Sequence, residues 1–223
     1  MQSRSTTATS DSCRQGADGE LTRAFFDRQE IFELVRLERF WRDQRAWDRL
    51  ADAYVEDSQV CTTWFLGTGR EFAEASRELV EKRGSRTKHT IFPTYVRING
   101  DRAICESPGT IQGRNRFDGV EMDLVNYARF HSLVVRTDRG WRLKSFMGIY
   151  HRDTLTAVNP DDKLPIDWAE IATFRPEYKF LCSVMMRRGY TVPQDLPGDE
   201  RPDILDAYYA RTDRWLETGV SPF

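Results

Sequence analysis

Cysteine is scarce in this chain, and its four positions, Cys13, Cys61, Cys105 and Cys182, are scattered through 223 residues without paired spacing. That pattern argues against a disulfide framework or a zinc site and points to reduced thiols in a cytoplasmic compartment. No apolar run approaches the ~20 residues that a membrane span requires. Residues 1–22 hold no hydrophobic stretch of the signal-peptide kind; rich in Ser, Thr, Gly and Gln, they read as a flexible leader. Neither sign of charge dominates, since 33 basic and 35 acidic residues leave a net charge of −2. Without a basic stripe along the sequence, nucleic acid is disfavoured as a partner. No nucleophile-elbow motif occurs, and Gly67-Thr68-Gly69 is too short and wrongly placed for a phosphate loop.

What is present suits a globular protein: 39% hydrophobic residues, 12% aromatic, and a length that allows one domain with an appendage. Asp27 with Glu30 resembles a helix N-cap and its capping-box partner. Ile31, Leu34, Val35 and Trp41 trace one side of the helix that follows, with Leu37 and Phe40 widening the stripe. Trp47, Leu50, Ala51 and Tyr54 repeat at helical spacing, and residues 70–83 form a third helix that ends at Gly84. Val60, Thr62 and Trp64 alternate as a strand. Four strand-like runs then follow, 88–98 and 101–112 around Asn99-Gly100, and 120–136 and 141–150 around residues 137–140. Helices followed by a meander of long strands predict an α+β fold, a curved antiparallel sheet whose N-terminal helices enclose a pocket. Residues 23–152 make up this domain. Residues 153–223 form a helical C-terminal extension with helices near 167–174, 176–188 and 202–217, Pro176 and Pro202 opening two of them.

Arg39-Phe40, Asp43, Trp47-Asp48-Arg49-Leu50, Glu56-Asp57-Ser58, Gly69-Arg70-Glu71-Phe72, Thr87-Lys88-His89, Gly100-Asp101-Arg102-Ala103 and Gly140-Trp141-Arg142-Leu143 occur in an order that carries a resemblance. Over about residues 28–152 the chain resembles the SnoaL-like, scytalone-dehydratase-like branch of the cone-shaped nuclear-transport-factor-two-like proteins. Against scytalone dehydratase, Arg42-Asp43 stands where that family has a Tyr-Asp pair, and His89 matches its first catalytic histidine. Its second histidine is replaced at about Gly113, and its pocket asparagine falls on Phe130. What remains is similar to the Asp–His dyad of related bile-acid dehydratases and dehydrochlorinases. The resemblance implies a cofactor-independent lyase or isomerase, of dehydratase or cyclase type, acting on a small hydrophobic oxygenated molecule of polyketide or steroid-like character, with no metal. It also implies assembly as a homodimer or homotrimer.

Under that resemblance His89 is the general base, because a neutral imidazole takes a proton at cellular pH, and Asp43 is the carboxylate that fixes its tautomer. Arg42 would face a developing enolate or leaving group. The expected substrate-binding set is Arg42, Tyr54, Trp64, Ile91, Asn126, Phe130, His131, Phe146, Met147 and Tyr150. His131 is a secondary member, since Phe130 and His131 cannot share a face unless a bulge shifts the phase. Each residue also has a plainer reading: Asp43 as a helix-end cap, His89 as a satisfied sheet histidine, Arg42 as a solvated surface arginine, the aromatics as core. Two other classes fit the same pattern, a non-catalytic ligand-binding protein and a structural subunit similar to the beta subunit of ring-hydroxylating dioxygenases.

Overall fold

The computed structural model describes the backbone from Ala8 to Phe223 and side chains from Gly19 onward. Helix α1, Ala8–Asp43, is a continuous rod of 36 residues, about 54 Å long at the usual rise. It begins inside the stretch expected as a leader, of which residues 1–7 lie outside the described residues. Asp27 is therefore not a helix start. No Gly or Pro interrupts residues 20–26, so the helix runs through it. The Asp27 carboxylate instead accepts bonds from Arg136 at 2.7 Å and the Trp141 indole N–H at 3.2 Å.

The inward face of α1 changes character along its length. Ile31, Leu34 and Val35 are buried, and the same face continues as buried Glu38, Arg39 and Arg42, while Phe40 points to solvent. The helix stops sharply because Arg45 takes a left-handed backbone (φ 62°) and the Ala46 N–H reaches back to the Trp41 carbonyl at 2.9 Å. This is a Schellman-type ending in which a non-glycine holds the strained position. It leaves Asp43 on the final turn, aimed at the sheet.

Helix α2, Trp47–Asp52, leads into strand β1, Tyr54–Cys61. The short strand β2, Leu66–Gly67, precedes helix α3, Gly69–Glu81, which starts at a reciprocal Thr68–Glu71 capping box. Strands β3, Thr87–Ile91, and β4, Tyr95–Asn99, were expected as one run. Pro93 breaks them apart, because it has no N–H to give the ladder. The pieces then pair with separate halves of β5, Arg102–Phe117. Strands β6, Val120–Thr137, and β7, Gly140–Ala157, complete a sheet in the order β2-β1-β7-β6-β5-β3, with β4 beside β5. All neighbours are antiparallel except β1 and β7, which run parallel. The β4–β5 loop is Gly100-Asp101, one residue later than expected, since Asn99 already pairs with Arg102. A further hairpin at Asp118-Gly119, both at positive φ, carries β5 to Phe117, past the expected 112, and joins it to β6, which begins at Val120 as expected.

The sheet curls, and its two faces receive different helices. On the concave side α1 and α3 meet the core of Val60, Phe72, Leu79, Phe130 and Phe146. Beyond the sheet, α4 spans Trp168–Ile171, α5 Lys179–Arg187 and α6 Pro202–Thr218. Helix α5 adds Leu181 and Met185 to the concave side. Helix α6 covers the convex side, where Trp215 and Leu216 pack on Ile104 and Leu133. The C-terminal extension thus closes the cone from one face and shields the sheet on the other.

Candidate functional site

The last turns of α1, strand β3 and the middles of β6 and β7 converge on one point. Asp43 and His89, 46 residues apart, form a two-point contact: Asp43 Oδ2 accepts the His89 backbone N–H at 2.6 Å, and Oδ1 lies 2.8 Å from the ring Nδ1. Both side chains are at least nine-tenths buried. Lys88 Nζ donates to the Asp43 backbone carbonyl, fixing the helix end to the strand. Since an ionised carboxylate only accepts, Nδ1 carries the proton. That leaves Nε2 as a lone-pair nitrogen with no protein partner among the described residues.

Charge in this pocket is set by burial first. Burial pushes the His89 imidazole down to about 4; Arg42 and Arg39 push it the same way, and the Asp43 bond opposes them. His89 is therefore neutral across physiological pH. Burial alone would raise the Asp43 carboxyl, but the bonds from His89 outweigh it and hold the group below the ordinary carboxylate value. Arg42 is only 4% exposed, so of its two sequence readings the inward-facing one fits and the solvated surface arginine does not; the helical period turns it inward. Its two contacts are long, 3.5 Å to Asp43 Oδ1 and 3.5 Å to the Thr87 carbonyl, so donors remain free. Burial and the charge of Arg39 hold its guanidinium down to about 10.

Two residues beside the pair were not anticipated. Arg39 forms a bidentate pair with Glu38, which also accepts the Tyr54 hydroxyl at 2.7 Å, and the guanidinium lies 4.1 Å from the Phe146 ring centre. Continuing the period of Ile31, Leu34 and Val35 to Glu38, Arg39 and Arg42 would have found them, because polar residues on an inward face must be paired or functional.

The chamber is lined by Arg39, Arg42, Trp64, His89, Phe130, Phe146 and Tyr150, with Ile111 beside His89 and with Leu181 and Met185 from α5. Its free volume is about 40 Å³. That is room for a few waters, one needing ~10–15 Å³, and well short of the ~300–1,000 Å³ of ligand sites. A ring-sized guest must displace side chains, α5 being the wall that comes from outside the sheet domain.

Of the expected substrate-binding residues, Arg42, Trp64, Phe130, Phe146 and Tyr150 meet here. The others lie elsewhere. Tyr54 is committed to Glu38. Ile91 lies two residues beyond His89, half-buried, and Ile111 fills the chamber wall in its place. Asn126 shares the face of Ile111 but is covered by the tail, its Nδ2 donating to the Glu177 carbonyl at 3.1 Å. His131 and Met147 pair across the strands on the opposite face, as alternation demands once Phe130 and Phe146 point inward. Met147 lines a separate hollow, and His131 lies under α6, its Nδ1 3.0 Å from the Tyr208 hydroxyl.

Fold and site together define a cone-shaped α+β protein with a carboxylate–imidazole pair at the floor of an aromatic chamber. The chain belongs to the SnoaL-like domain family, whose sequence profile matches residues 23–147, a family that includes cofactor-free isomerases and dehydratases. It is similar to pea pathogenicity protein 2 of Fusarium vanettenii, with 26% identity over 204 residues that cover 86% of each chain. A Mycobacterium tuberculosis protein of unknown function shares the fold, with a TM-score of 0.50 and 15% identity over 76% of this chain and 99% of that one. An NTF2-like protein with a cystatin-like fold from Novosphingobium aromaticivorans superposes with a TM-score of 0.49 and 21% identity, covering 58% of this chain and 85% of that one. No helix among the described residues is long and apolar enough to cross a membrane.

Proposed function

We propose that the protein is a cofactor-independent lyase or isomerase acting on a small, hydrophobic, oxygenated ring, with His89 as general base and Asp43 as the group that positions it. The observation that carries this reading is the two-point Asp43–His89 contact at 2.6 and 2.8 Å, which leaves Nε2 unpartnered beside the chamber. Nε2 takes a proton from a carbon next to a carbonyl. The electron pair moves onto the carbonyl oxygen, and Arg42, with donors to spare, meets the enolate. Collapse of the enolate forms the C=C bond and breaks the β C–O bond, and the hydroxyl leaves as water with the proton that Nε2 took; return of that proton to another carbon instead completes an isomerisation.

An imidazole held down to about 4 is a weak base in the resting site. The enolate corrects this. A negative oxygen between Arg42 and His89 cancels the cationic field that lowers the imidazole, so its basicity rises as the proton moves. The test is absorbance-monitored elimination or isomerisation over a panel of cyclic β-hydroxyketones and enones. His89→Gln should lose ~10²-fold or more in turnover with an unchanged circular-dichroism spectrum. A variant as fast as the parent overturns the assignment. The nearly filled chamber favours one other reading, a structural subunit of the same fold; a protein that neither binds nor turns over any panel compound would establish that instead.

A further inference from the structure

Where α3 and α5 end, β3 begins and β5 turns into β6, the fold assembles a second hollow that the Asp43–His89 site does not use. It has a volume of about 670 Å³, and six arginines line it: Arg83, Arg86, Arg114, Arg116, Arg187 and Arg188. Glu121 is the one carboxylate in its lining. Arg114 and Arg187 are paired with Asp123 and Asp118, and Arg116 reaches Glu121 at 3.4 Å. The remaining three have no carboxylate partner among the described residues.

Those three carry the inference. Arg86 has no side-chain hydrogen bond or ion pair to any described residue. Arg83 and Arg188 each donate to the other's backbone carbonyl, tying the end of α3 to the end of α5. Arg188 also donates to the Asn115 side-chain oxygen at 2.9 Å. Its bonds thus go to neutral acceptors only, although burial desolvates it enough to lower its pKa. A partly desolvated guanidinium without a counter-charge is costly, and an entering anion would relieve it. A continuous phosphate backbone needs an extended basic track; here three of the six guanidiniums are taken up by Asp118, Glu121 and Asp123, which leaves a compact group of three.

The location adds a second argument. Three of the elements that wall the chamber also wall this basin: Leu79 and Arg83 at or just past the end of α3, Thr87 and Arg86 on or beside β3, Met185 and Arg188 at the end of α5. We infer that the basin is a binding site for a compact phosphate-class oxyanion, a phosphate or pyrophosphate group, and that the molecule processed at His89 carries such a group on its apolar ring. The second half of this statement rests on the reading of the Asp43–His89 site; the binding site itself does not.

Inorganic pyrophosphate, titrated calorimetrically at fixed ionic strength, tests the site without any turnover. Binding of one equivalent is expected, weakened ~10-fold or more in Arg86→Gln, the loss of a charge-assisted contact. Arg188→Gln should act likewise. Arg139→Gln, at the opposite end of β6 and paired with Asp52, should bind as the parent does. Arg86 holds nothing in place, so its variant remains informative if Arg188→Gln fails to fold. Heat no greater than that of chloride, or an equal loss in Arg139→Gln, overturns the site. Equal affinity for tricarballylate overturns the phosphate assignment, and tighter binding of an oligouridylate would make the basin a nucleic-acid contact instead. A parent that binds no pyrophosphate would leave the assignment of His89 as base standing, and undiminished turnover in His89→Gln would leave the basin standing.

Discussion

Asp43→Asn is the perturbation that bears most on how the site is built. The carboxylate accepts two bonds from His89, at 2.6 and 2.8 Å, in a place closed to water. An amide keeps one accepting oxygen and turns an NH₂ toward the other donor. One charge-assisted bond worth ~1.5–3 kcal/mol is lost, and a buried N–H left unpaired costs ~1–3 kcal/mol more. Burying an amide is easier than burying a carboxylate, which offsets part of this. The net loss should be about 3 kcal/mol, moving a urea midpoint down by ~1.5 M for a slope near 2 kcal/mol per M. The carboxylate is also what raises the imidazole against burial, so the His89 pKa should fall below its value of about 4. With the tautomer no longer enforced, turnover should drop ~10²-fold or more. Equilibrium unfolding and panel turnover, measured on the same preparation, decide the matter. A midpoint within 0.3 M of the parent, or undiminished turnover, would refute the reasoning.

Acid should weaken the fold in a defined window. His89 and His131 are held down to about 4 and about 3, against about 6.5 unfolded, so the unfolded chain binds more protons below neutrality. Their contribution is complete above about 6.5 and is lost as the pH falls through 4 toward 3; urea midpoints that stay flat from pH 7 to 4 would contradict this. Asp153 has the opposite sign: burial pushes it up to about 6, and its Oδ1 lies unpartnered across β6–β7 from the unpartnered Oδ1 of Asn126. Asp153→Asn offers that oxygen a donor and removes the buried charge, so it should stabilise by ~1–2 kcal/mol at pH 7 and by less at pH 5. Arg45→Gly relieves a left-handed backbone costing ~1–2 kcal/mol, less the extra entropy of glycine when unfolded. A gain of ~0.5–1 kcal/mol in thermal unfolding, with turnover unchanged, is expected.

The succession of the long strands along the chain was legible in the sequence, because alternation and turn residues are local signals; the parallel pairing of β1 with β7 was not. Where it misled, a neighbour in space had decided. Asp27 reads as a cap until Arg136 and Trp141 arrive from β6 and β7 to occupy it. Adjacent residues on a strand cannot share a face, so Phe146 with Met147, like Phe130 with His131, could not both line one chamber; pairing across β6 and β7 settles which do. Asp43 and His89 stood out through resemblance, since a distance of 2.8 Å across 46 residues has no local signature. Glu38 and Arg39 were legible in the helical period but are masked by a search for apolar residues alone. The arginine basin was illegible in principle: residues 83–86, 114–116 and 187–188 are unremarkable in three separate places, and only folding brings them together.

The tautomer of His89 can be read directly from ¹⁵N chemical shifts of the imidazole nitrogens in the intact protein, titrated from pH 8 to pH 4. A proton on Nδ1, a bare Nε2 and no titration until the pH nears 4 are the expected result. A proton resting on Nε2, or an imidazole that titrates near 6.5, would contradict the account, because the nitrogen meant to receive a proton would then be occupied or the ring would be open to water.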